Sequence, residues 1–224
     1  MFTMNDMILL LPALILSVYA QWKVSSTFKK MSERRAASGL TGAQVARMLL
    51  QRNGIDDVKV ETVPGSLSDH YDPTQKVLRL SEPVYDSNSL AALGVAAHET
   101  GHAIQHHTAY SALSLRSAIL PMANIGSKLA IPLFLGGMLM RMDFLITIGI
   151  VLFIGAVAFT LVTLPVEFNA SRRAMAQLTS GGFLRNDEIQ GAKSVLDAAA
   201  LTYVAAAAMA VVQLIRLIMI RNHE

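Results

Sequence analysis

A chain of 224 residues that is 53% hydrophobic and only 16% charged, with its apolar residues in long blocks, argues against a soluble protein. It contains no cysteine, which excludes disulfides and thiolate ligands and leaves any metal to His, Asp and Glu. The net charge of +3 is small, and the basic residues sit beside apolar blocks, a pattern of orientation in a membrane and not of nucleic-acid binding.

In chain order, residues 7–22 form an apolar run between Asp6 and Lys23. Counted from Phe2, the run approaches the roughly 20 residues that a bilayer core needs, and Pro12 is tolerable within it. A cleaved signal peptide is the competing reading. No Lys or Arg precedes the run, so a retained anchor is preferred. Lys23, Lys29, Lys30, Arg34 and Arg35 follow it, and the positive-inside bias then places the start of the chain outside and the next segment in the cytoplasm.

Residues 41–52 predict an amphipathic helix with Thr41 as cap, Val45, Met48 and Leu49 as buried stripe, and Asn53-Gly54 as stop. Residues 58–63 alternate with period two and predict a strand; residues 76–80 predict a second. Asp69-His70-Tyr71-Asp72-Pro73 between them predicts a turn. Asn88 or Ser89 can cap the helix that follows, whose body is Leu90, Leu93, Val95, Ala96 and Ala97.

That helix carries His98-Glu99-Thr100-Gly101-His102, an H-E-x-x-H stretch expected by chance in under about one in a hundred such sequences. Two histidines four residues apart lie one above the other on a helix and can take adjacent corners of a zinc tetrahedron. Glu99 is off that stripe and can reach a water at an open corner, where a general base belongs. The alternative is a helix with two surface histidines and a coincidental Glu.

Residues 117–140 contain one charge, Lys128, and predict a second span with Pro121 and Pro132 inside it; Lys128 is either snorkelling or functional. After a short turn at Arg141-Met142-Asp143, residues 144–164 carry no charge and predict a third span. Residues 165–174 predict a helix prolonging that span into water, ended at 179–182. Asn186 is expected to cap a last helix, with Asp187 and Glu188 in its first turn, which turns apolar over 198–215 and makes a fourth span. Arg216 and Arg221 at its far end speak against the outside C-terminus that this topology expects.

Two histidines are too few for a protein zinc site. His106 extends the ladder, but on a continuous helix it stands about 12 Å along the axis from His98, too far to share one ion. Glu167 is the better third ligand, because the hairpin of the second and third spans leaves from just after the His98 helix and returns at Glu167, so both lie on one membrane face. The alternative for Glu167 is a solvated carboxylate at the interface.

His98-Glu99-Thr100-Gly101-His102-Ala103, followed by a hairpin and by Leu164-Pro165-Val166-Glu167-Phe168-Asn169-Ala170-Ser171-Arg172-Arg173-Ala174, resembles the YugP-type membrane zinc metallopeptidases. The resemblance covers essentially the whole chain, including Asp69-His70-Tyr71-Asp72-Pro73 and 198–204. More distantly the chain is similar to HtpX-like and CAAX-processing membrane zincins, whose motif after the hairpin is E-x-x-A-D. That likeness implies a metal-ligand role for Glu167, and places Ser171 where the motif has Asp. It implies a mainly α integral membrane protein of about four spans with a small α+β zincin-like unit. The segments would be a 1–22 anchor, a 23–116 zincin-like unit, a 117–164 hairpin, a 165–197 helical segment and a 198–224 final span with its tail.

The mechanism so implied is peptide hydrolysis with Zn²⁺ on His98, His102 and Glu167, and Glu99 taking a proton from water and returning it to the leaving amine. The substrate would be a protein or peptide, the setting the lipid bilayer of the cell membrane, and the site cytoplasmic. His70, Tyr71 and Tyr203 are candidates for substrate binding or for a second oxyanion donor. A sheet edge near the site offers itself to an added substrate strand. Arg172 and Arg173 fit a positive-inside flank better than a substrate clamp. The rivals are a membrane adaptor with a structural metal, against which an intact Glu99 speaks, and a zinc hydrolase acting on a non-peptide amide.

Overall fold

The computed structural model describes residues 4–222. Its elements are α1 (Met4–Ser32), α2 (Gly42–Arg52), β1 (Lys59–Val63), β2 (His70–Asp72), β3 (Val77–Ser81), α3 (Glu82–Tyr85), α4 (Leu90–His107), α5 (Ser111–Met140), α6 (Asp143–Ser180) and α7 (Asn186–Asn222). Four helices are long and apolar enough to cross a bilayer: Ile8–Ser32, Ser111–Met140, Asp143–Ser180 and Asn186–Asn222. The protein is therefore a mainly α membrane protein carrying a small three-stranded sheet. Each of these helices outruns its apolar stretch, α1 through Lys23, Lys29 and Lys30 to Ser32, and α5 starting at Ser111. A hydrogen-bonded helix has no reason to stop where the bilayer does, provided its next residues are helix formers.

The chain folds into two compact units. The first holds the residues up to Gln21, Ser111–Pro165 and those from Leu201 onward. It is the spanning part, with Ile15 66%, Leu139 87% and Phe144 69% exposed, as side chains turned to lipid would be. Helices α5 and α6 form an antiparallel hairpin whose backbones approach closely: a Cβ on Gly149 would lie 2.7 Å from the Ala130 carbonyl oxygen and 2.8 Å from the Phe134 nitrogen. The end of α7 joins them through Leu217 and Ile220, which cluster with Phe134, Ile146 and Ile150.

The second unit comprises Trp22–Tyr110 and Val166–Ala200. Thr41 caps α2 in a full capping box, its hydroxyl accepting from Gln44 N while the Gln44 side chain accepts from Thr41 N. Asn53 ends that helix. The sheet order is β1-β3-β2, with β1 parallel and β2 antiparallel to the buried central β3. Residues 70–72, expected as part of a turn, are this edge strand. Three residues are too few to show a period, and the turn lies just beyond, where the Asp72 carboxylate accepts from Thr74 N and Gln75 N. Asp69 accepts from the backbone N and hydroxyl of Ser81, tying the strand's entry to the end of β3. Asn186 is also not a cap but the first residue of α7. Arg185 N is satisfied by the Glu188 carboxylate at 2.8 Å, and the same side chain accepts from Ala37 N at 2.7 Å.

One cluster packs the sheet under α2 and α4 through Leu78, Leu80, Val84, Ala92 and Ala96. A second joins α2 and α4 to α6 and α7 through Val45, Leu49, Leu93, Ala174, Leu178 and Val195. Helix α6 presents Val166, Ala170, Ala174 and Leu178, an i, i+4 stripe that is wholly buried, so Glu167 and Ser171 fall one step round from the packed seam. Gly101 meets that seam. A Cβ there would sit 2.6 Å from the Ala170 carbonyl oxygen and 3.2 Å from its Cα, and both are backbone atoms that cannot rotate away. Gly101→Ala is therefore expected to push α4 off α6 and cost about 1–3 kcal/mol of stability. A melting curve identical to wild type would show that the two helices do not depend on this contact.

Candidate metal centre

Helix α4 begins at Ser89, whose hydroxyl accepts from Ala92 N at 3.2 Å. Its residues are small on the side facing α6, and His98 and His102 therefore rise on one face beside a close crossing. Their rings stand 4.8 Å apart, edge to face at 88°. Glu167 reaches from α6 to both. Its Oε2 is 3.2 Å from His98 Nε2 and 3.5 Å from His102 Nε2. The carboxylate is 3% exposed and each imidazole 12%, so little water is left to solvate a charge here. Among the described residues, His98, His102 and Glu167 each offer one ligand atom within 4.8 Å of the others.

The hydrogen bonds behind the imidazoles determine which nitrogen faces forward. Gln105 Nε2 donates to the Val166 carbonyl at 2.8 Å and to Asn169 Oδ1 at 3.0 Å, so its Oε1 must be the atom 3.0 Å from His102 Nδ1. An amide oxygen only accepts, so His102 Nδ1 carries the proton and Nε2 points at the carboxylate with a lone pair unless a second proton is added. Asn169 Oδ1 accepts in turn from Arg173 Nε at 2.8 Å. On the other imidazole, the Ser171 hydroxyl lies 3.1 Å from His98 Nδ1 and accepts from it when Nε2 is the free nitrogen.

Acceptors converging on one carboxylate oxygen repel unless a cation or proton lies between them. The titration of His102 carries the same message. Burial lowers its proton affinity, but the Glu167 carboxylate, aided by the charge of Glu99, outweighs burial and raises its pKa above the ordinary imidazole value. A metal fits the donor set. Bonds of about 2.0–2.2 Å at tetrahedral angles put ligand atoms about 3.3–3.6 Å apart, and the two His–Glu pairs, at 3.2 and 3.5 Å, lie close to that separation. Two nitrogens and one carboxylate oxygen suit zinc.

Glu99 is 9% exposed, and among the described residues its carboxylate has no hydrogen-bond or ion-pair partner. The other residues singled out from sequence are placed elsewhere. Tyr71 Oη is 2.8 Å from His106 Nδ1, and its hydroxyl is pushed up to about 12 by burial, helped by the charges of Asp57 and Asp72. That pair lines a cavity of about 290 Å³ with Ala103 and Lys76. His70 Nδ1 lies 2.8 Å from the Ser68 carbonyl oxygen, and its Nε2 lies 3.5 Å from Arg79 Nη1. Tyr203 is on α7 in the other unit, as is Lys128 on α5. Arg172 is exposed, whereas Arg173 is bound to Asn169 and lies over the Tyr110 ring.

Sequence reasoning missed Gln105 and Asn169. A polar residue three positions after His102, on the same helix face and in an apolar run, was the available signal for Gln105. For Asn169 the signal was its place one turn before Arg173 on the Glu167 helix.

Comparison with known proteins agrees with this chemistry. Residues 6–222 match the family described as "Putative neutral zinc metallopeptidase". The chain is 55% identical over 212 residues to "Putative membrane protease YugP" of Bacillus subtilis (strain 168), a match that covers 95% of this chain and 94% of that protein. No solved structure matches it. Since the family match takes in all four spanning helices as well as both halves of the His–Glu cluster, the chain belongs to the family so described.

Proposed function

We propose that this protein is a membrane zinc protease that hydrolyses peptide bonds, with His98, His102 and Glu167 holding the ion. The observation that carries this reading is the pair of imidazole Nε2 atoms aimed at one buried carboxylate oxygen, with the far nitrogen of each ring already engaged. Three protein ligands leave a tetrahedral position open, the arrangement of a catalytic and not a structural site. His98, His102 and Glu167 would hold a zinc ion, which would supply a water of pKa lowered to about 7 and polarisation of the substrate carbonyl.

The protein side chains do the rest. Gln105 and Ser171 hold the imidazoles in the tautomer that turns Nε2 to the ion and keep the rings from rotating. Glu99 follows His98 but stands about 100° round the helix from it, off the ligand stripe. Its unpaired carboxylate takes the proton of the attacking water and delivers it to the leaving amine. The near-dry surroundings of Glu167 strengthen each of these electrostatic contacts.

The site is proposed to lie in the cytoplasm of the cell. Lys23, Lys29, Lys30, Arg34 and Arg35 follow the first span, and Arg172, Arg173 and Arg185 follow the third, so the larger basic count flanks the unit that holds the His–Glu cluster. Substrates are then proteins or peptides approaching from the cytoplasmic face or from within the bilayer.

Glu99→Gln is expected to lower peptide hydrolysis by about 10²–10⁴-fold while zinc content, read by elemental analysis of the purified protein, stays at wild-type level. Full activity in this variant would remove the proposed base. Glu167→Ala leaves two protein ligands and should lose zinc and activity together, whereas His106→Ala, bonded to Tyr71 and not to the cluster, should keep the metal. The opposite outcome would reassign the third ligand. For sidedness, a cysteine at exposed Ser66 in this cysteine-free chain should resist a membrane-impermeant thiol reagent in intact cells, and one at Met142 should react. Labelling at position 66 in intact cells would place the site outside.

A further inference from the structure

The first unit contains a charged cavity that proteolysis does not use. It measures about 650 Å³ and is lined by Met138, Arg141, Asp143, Ile146 and Arg221. Its walls come from the end of α5, the hairpin turn and start of α6, and the last turn of α7, so three spanning helices end around it. Leu217 and Ile220, packed on Ile146, hold the end of α7 at the hairpin tip. Among the described residues, neither guanidinium forms an ion pair, and Asp143 forms none with them. Arg141 adopts φ +52° as the left-handed residue that ends α5, where Met142 N donates to the Gly137 carbonyl at 2.8 Å, so its side chain is carried at the hairpin tip and not along the helix.

We propose that this cavity binds the headgroup of a phospholipid, with the phosphate between Arg141 and Arg221 and a hydrogen-bond donor of the headgroup, an amine or a hydroxyl, on Asp143. The ends of spanning helices stand at the level of the headgroups. Guanidinium groups match phosphate oxygens in geometry and charge, and are the side chains most often used for this purpose. The carboxylate beside them would repel a phosphate alone. It is accounted for when the same ligand also carries a donor, which an ethanolamine or glycerol headgroup has and a choline headgroup lacks. Met138 and Ile146 supply the apolar wall for the start of the acyl chains. The volume falls in the range of small-molecule sites, about 300–1,000 Å³. The site also accounts for Arg221 at the end of α7 that positive-inside counting leaves outside, since a bound phosphate neutralises it.

The test uses the full-length protein in nanodiscs equimolar in phosphatidylethanolamine, phosphatidylglycerol and phosphatidylcholine, with lipid retained per protein read by native mass spectrometry after release into detergent. Wild type should retain one phospholipid and prefer the ethanolamine and glycerol species over choline. R141Q/R221Q should lower retention by about tenfold or more, and R141K/R221K should restore most of it, because the charge is kept while the fork is lost. D143A, which removes the acceptor, should keep the lipid and lose the preference against choline. If R141Q/R221Q fails to fold, the single variant R221Q, expected to lower retention, and D143A decide the matter in folded protein. Equal retention in wild type and R141Q/R221Q overturns the proposal, as does D143A with unchanged preference. Binding of inorganic phosphate by wild type with no phospholipid retained would assign the cavity to a free anion and overturn it too.

Discussion

The candidate site depends on one contact, the approach of two imidazoles on α4 to a single buried carboxylate on α6. A carboxylate that is 3% exposed must be compensated or it will not stay ionised, and here the compensation comes from the next helix over. The close crossing of α4 and α6 makes that compensation possible. Glycine at 101 and alanine at 170 let the backbones meet, so that His98 and His102 can stand beside the seam and not be held apart by it. The rest of the second unit, with its sheet, α2 and the start of α7, supports these two helices from the outer side through the apolar clusters at Leu78 and Leu93.

Behind that contact lies a set of hydrogen bonds whose orientation is not free. The Val166 carbonyl accepts from Gln105, so the Gln105 oxygen faces His102, and His102 then presents Nε2. The same helix, α6, thus supplies the carboxylate through Glu167, the backbone acceptor through Val166 and the partner of the other imidazole through Ser171. Three roles from six consecutive residues mean that a small rotation of α6 disturbs all of them together. A serine hydroxyl at 171 is a weaker acceptor than the aspartate of the related motif, and it leaves the cluster less negative by one charge.

Much of this was legible in the sequence, and what was not has identifiable physical causes. The spans were readable because twenty-odd apolar residues have no other stable fate. Helix α2 was readable to the cap because Thr41 stands directly before an apolar-periodic run, while the return bond from Gln44 came only with the structure. The strand at 70–72 was not, since its pairing with β3 is set by a partner and not by its own pattern. Nor was the cap of α7, where Glu188 serves both its own helix and Ala37, a residue 151 positions away.

The sequence by itself determined that the chain enters a membrane, that His98, Glu99 and His102 share a helix, and, through chain connectivity, that Glu167 returns to their side. These follow from local periodicity and from the length of hydrocarbon to be crossed, which act on residues near in sequence. Only the tertiary structure decided that both Nε2 atoms meet the same carboxylate oxygen, that Gln105 and Ser171 hold the rings, and that His106 turns to Tyr71. Those outcomes depend on a helix crossing set by small side chains and on side-chain orientations fixed across it, and a 3.2 Å contact between residues 69 positions apart has no trace in composition or period.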